Sequence, residues 1–156
     1  LSRLLGDYDN AIDYYNKFLK IRREPFFEKQ MNALIEFKEQ SAVYILEPIL
    51  NSGSVALTLQ KFEEMKNDSK NTRRFDEAEF NSWGYRLLQR GETKKAIVVF
   101  TLDVRLFPES SNAYDSLGEA FVKDGDTESG IKNYRKSLEL NPGNVNAKER
   151  LEVLQK

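Results

Sequence analysis

The chain has 156 residues, 40% of them hydrophobic, with 24 Lys and Arg against 25 Asp and Glu for a net charge of −1. This suits one packed domain or a short helical array and excludes wholesale disorder, a basic nucleic-acid footprint and a bilayer span of roughly 20 apolar residues. It has no Cys and no His, so it can build no disulfide or thiolate chemistry and no Ser-His-Asp or Cys-His site, and it lacks the commonest metal ligand.

Leu1 to Asn10 lacks the charged-then-apolar pattern of a signal peptide, and the chain lacks an initiator Met. Part of something longer is therefore expected. The first predicted helix is GDYDNAIDYYNKFLKI, with Tyr8, Ala11, Ile12, Tyr15 and Leu19 on its apolar side. Residues 24–40 read as a further helix opened by Pro25, a residue tolerated in the first turn. Phe27, Met31, Leu34 and Ile35 recur in it at helical spacing, and it could run into the next helix with Pro48 to kink or end it. Residues 41–68 read as a helix pair, Ser41 to Ser52 and Ser54 to Asn67, turning at Gly53. A polar loop, NDSKNTRR, follows. Asp76 with Glu79 forms a capping-box pattern that opens a pair over residues 76–109. A second pair covers residues 110–143, and an amphipathic helix over 144–155 turns Ala147, Leu151 and Leu154 inward.

The last two pairs repeat each other. Gly84 and Gly118, Gly91 and Gly125, Phe100 and Tyr134, and Pro108 and Pro142 each stand 34 residues apart. Leu87 falls opposite Phe121, and Ala96 opposite Gly130. A mid-helix Gly costs about 1 kcal/mol against Ala, so its recurrence points to close helix approach. Gly91 and Gly125 sit where a first helix needs a left-handed ending. Phe107-Pro108 and Asn141-Pro142 stop the second helices.

The segments FNSWGYRLLQRGETKKAIVVFTLDVRLFP and YDSLGEAFVKDGDTESGIKNYRKSLELNP resemble the tetratricopeptide-repeat (TPR) family, whose period is about 34. The resemblance implies an all-α, right-handed array of antiparallel helix pairs, closed by a C-terminal capping helix over 144–155. Residues 1–23 then become a partial repeat, on Gly6, Ala11, Tyr15 and Phe18, whose first helix precedes Leu1. The apolar side of that helix expects cover from the helix after Pro25 or from a second copy. Residues 24–40 are an extra helix, 41–68 a degenerate repeat, and 76–109 and 110–143 regular repeats. The phrases ILEPILNSG, WGYRLLQRG and NAYDSLGEAFVKDGD are similar to the TPR tail of bacterial serine hydrolases of the beta-lactamase-related and esterase types. That likeness implies a non-catalytic accessory region of a larger enzyme.

Other motifs reduce to packing and turns. Asp124, Asp126 and Glu128 open like a calcium loop, but Ser129 and Arg135 stand where Gly and Glu are required. Ser129-Gly130-Ile131-Lys132 matches Ser-x-x-Lys without its partner motifs, and Gly130 already has a packing role. The aromatics follow core spacing rather than a stacking platform. The reading is a scaffold without catalysis, cofactor or metal, which binds a protein or peptide or a second copy of itself. No nucleic acid and no membrane insertion are expected, in either the cytoplasm or the periplasm.

Register places the binding positions on the concave face lined by first helices. They are Asn81, Tyr85 and Gln89, then Asn112, Asp115, Glu119 and Lys123, with Asn146 and Glu149 from the cap. Amides and a phenol can pair with an extended peptide's backbone. Three carboxylates against one Lys make this face acidic. That favours a polar or basic ligand and disfavours a clamp for a C-terminal carboxylate.

Overall fold

The computed structural model describes residues 8–21 and 25–155. Among these residues there are nine helices: α1 Tyr8–Ile21, α2 Pro25–Glu39, α3 Ala42–Asn51, α4 Val55–Asn67, α5 Glu77–Gln89, α6 Thr93–Leu106, α7 Ser111–Asp124, α8 Thr127–Leu140 and α9 Val145–Leu154. The fold is all-α, and the described residues form no strand beyond an isolated parallel bridge between Ser41 and Arg74. No helix among them is long and apolar enough to cross a membrane. The chain divides into two compact units, one up to Glu79 and one from Phe80.

In the first unit α1 packs on α2, α2 on α3, and α3 on α4. The phenol ring of Tyr15 and the ring of Phe18 lie 6.2 and 4.3 Å from that of Phe27. Cover for α1 therefore comes from the helix after Pro25, one of the two alternatives the apolar pattern leaves open. Gly6 and the Tyr8 side chain lie outside the described residues.

Of the two readings left open, a separate helix over 24–40 or one that runs on, the structure has the separate helix. Ser41 is extended, and its hydroxyl accepts the Val43 N–H at 3.1 Å, capping α3. On either side the backbone pairs with Arg74: its N–H donates to Gln40 at 2.7 Å, and its carbonyl accepts from Ala42 at 2.9 Å. Those groups are thus drawn out of a continuous helical ladder. Nor does Pro48 end a helix, since it lies inside α3, which continues to Asn51. Pro48 cannot donate to the carbonyl of Tyr44, yet Leu46 and Leu50 are both fully buried and hold the segment helical.

The loop before α5 is not wholly solvent-facing. The Arg74 guanidinium lies 3.6 Å over the Phe37 ring and donates to the Phe37 carbonyl at 3.3 Å. It also pairs with the buried Glu79 carboxylate, which accepts the Ser41 hydroxyl as well. Asp76 accepts the Glu79 N–H at 3.1 Å, the forward half of the capping box.

The second unit shows why glycine recurs. A Cβ on Gly84 would stand 2.4 Å from the Phe100 ring, and one on Gly118 would stand 3.1 Å from Tyr134. Added to Gly130, a Cβ would meet Val122 at 2.4 Å. At Gly84 and Gly130 the paired helices thus approach to distances at which a side chain would force its neighbour to move, and at Gly118 the fit is tight. Gly91 and Gly125 adopt φ of 75° and 90° at the ends of the first helices, where a Cβ meets the following carbonyl. Ser110, Asp126 and Asn144 cap α7, α8 and α9 through their side-chain oxygens. The last helix buries Ala147 and Leu151 with Tyr134, and Val122, Ile131, Leu138 and Leu154 pack around them. Its other side exposes Lys148, Glu149, Arg150 and Glu152.

Candidate functional site

The first helices of the repeat pairs, α5 from Phe80, α7 and α9, carry polar side chains that bond from one helix to the next. The Tyr85 hydroxyl donates to Glu119 Oε2 at 3.1 Å. Ser116 donates to Asn81 Oδ1 at 2.8 Å and stands 3.3 Å from the Tyr85 oxygen. Its single proton serves the shorter contact, in keeping with hydroxyl donor capacity. Asn146 Nδ2 donates to Asp115 Oδ2 at 2.7 Å. Lys123 approaches Glu119 Oε1 at 3.6 Å, one helical turn away.

The register explains this arrangement. Tyr85 and Glu119 are 34 residues apart in sequence, so the repeat sets equivalent turns of α5 and α7 beside each other. Asn81 and Tyr85 on α5, and Ser116, Glu119 and Lys123 on α7, stand three or four positions apart, which puts each set on one face. That face is continuous with the apolar side: the Tyr85 ring meets Phe100 edge-on at 5.3 Å.

Among the expected positions, Asn81, Tyr85, Asp115, Glu119, Lys123 and Asn146 enter this set of bonds. Gln89, Asn112 and Glu149 are exposed on the same three helices. Sequence reasoning missed Ser116, which is buried and lies between Asn81 and Tyr85. Its signal was present, because Ser82 occupies the equivalent position 34 residues earlier.

The electrostatics follow from burial. Asp115 is 9% exposed, and its Oδ1 is buried without a hydrogen-bond partner. Burial pushes its carboxyl above the usual range; hydrogen bonding from Asn146 and Asn144 and the Arg150 charge oppose that shift, and the Glu119 charge adds to it. Burial likewise pushes the Tyr85 phenol up to about 12, opposed by the neighbouring Ser116 hydroxyl and reinforced by the charges of Glu119 and Asp115. Tyr85 is therefore a fixed neutral donor.

The rejected motifs take on structural roles. Asp126 Oδ1 accepts the Ser129 N–H at 3.0 Å, and Asp124 accepts the Thr93 hydroxyl at 2.9 Å. The Ser129 carbonyl accepts from Asn133 at 2.8 Å. No group of three or more acidic residues among the described residues is placed to hold a metal ion.

Residues 1–25 and 111–144 match the family model described as tetratricopeptide repeat. Comparison with curated proteins gives no match. Among solved structures the chain is similar to MamA, seen in a crystal structure, at 18% identity and a TM-score of 0.54, over 98% of this chain and 80% of that one. That likeness carries the fold alone, and neither match bears on the serine-hydrolase tails. Over the two matched segments the chain is similar in sequence to the tetratricopeptide repeat, and over nearly its whole length its all-α helical fold is similar to that of MamA.

Proposed function

We propose that the chain is a protein-interaction scaffold without catalysis of its own, which binds an extended peptide or partner segment along α5, α7 and α9. The observation that carries this reading is the row of polar side chains in which Ser116 donates to Asn81, Tyr85 donates to Glu119, and the two pairs meet at the 3.3 Å contact between Ser116 and Tyr85. Its side chains are already held in place before any ligand arrives. Prior ordering of this kind lowers the entropy that association must overcome. The exposed Gln89, Asn112 and Glu149 stand three or four residues from Tyr85, Ser116 and Asn146 on the same helices.

Asp115, Glu119 and Glu149 against Lys123 favour a polar or basic segment. Binding should then weaken as salt rises. The test is a pull-down from lysate with the wild-type chain and an Asn81→Ala, Asn112→Ala, Asp115→Ala variant of unchanged helicity. Loss of the partner by the variant is the expected result. Equal retention by both proteins would place the binding surface elsewhere.

A further inference from the structure

We draw no further inference here: the strongest candidate, the aromatic surface patch formed by the exposed Tyr14 on α1 and Phe26 on α2 beside the rings of Tyr15 and Phe27, carries nothing because nothing in the structure shows what covers it.

Discussion

Burial disfavours the charged form of the Asp115 carboxyl, and this has a consequence for stability. Its folded-state pKa lies above the unfolded value, so the native state holds the proton over a range where the unfolded chain has lost it. The contribution of this residue to stability therefore improves as pH falls through the folded pKa, and it levels off below the ordinary carboxylate value. Asp115→Asn should stabilise the chain near neutral pH by about 1 kcal/mol, because it keeps an acceptor for Asn146 and removes a buried charge. It should also flatten the slope of stability between neutral and mildly acidic pH. Chemical denaturation of both proteins across that range checks this, and a variant less stable at neutral pH would contradict it. A second residue-scale device is the Ser41, Arg74 and Glu79 cluster. Glu79→Ala leaves Arg74 without its buried counter-ion and Ser41 without its acceptor, and should cost roughly 3 kcal/mol. A denaturant midpoint equal to that of the parent would show that the cluster adds nothing. Sequence reading did not find this cluster. An Arg in a polar loop carries no local mark of the carboxylate it meets, whereas Ser116 could have been found from Ser82 by the repeat.

Helix boundaries were largely legible because their causes are local. Serine caps, glycine endings and proline stops all act within a few residues of the positions they control. Where the cause is distant, the reading left alternatives open: α2 stops at Glu39 rather than running on because Gln40 and Ala42 pair with the backbone of Arg74. Likewise Pro48 sits within a helix because the burial of Leu46 and Leu50 outweighs one missing ladder bond. Two substitutions test the packing of elements. Gly84→Ala gains about 1 kcal/mol of helix propensity, but its Cβ would stand 2.4 Å from the buried Phe100 ring. The net effect should be a loss of roughly 1–3 kcal/mol from overpacking. If thermal melting instead shows a gain, the helices do not approach as closely as described. Ser110→Ala removes the acceptor for the Ala113 N–H at 3.2 Å, and should cost about 1 kcal/mol. A melting temperature unchanged from wild type would contradict that capping role.

For the whole chain, the repeat register decides which residues share a face, and that face belongs wholly to the unit from Phe80. The positions along it were legible because they follow from helical spacing and the 34-residue offset seen in Tyr85 and Glu119. Their bonds to one another were not legible, since spacing gives proximity but not which hydroxyl donates to which oxygen. The central claim is that a partner lies along α5, α7 and α9. The most direct measurement is backbone amide NMR of the full chain titrated with a peptide from the partner retained in the pull-down. The account predicts shift changes gathered at Asn81, Tyr85, Asn112, Asp115, Glu119 and Asn146. Changes gathered instead on α8 around Lys132 and Arg135, or on α1 and α2, would contradict it.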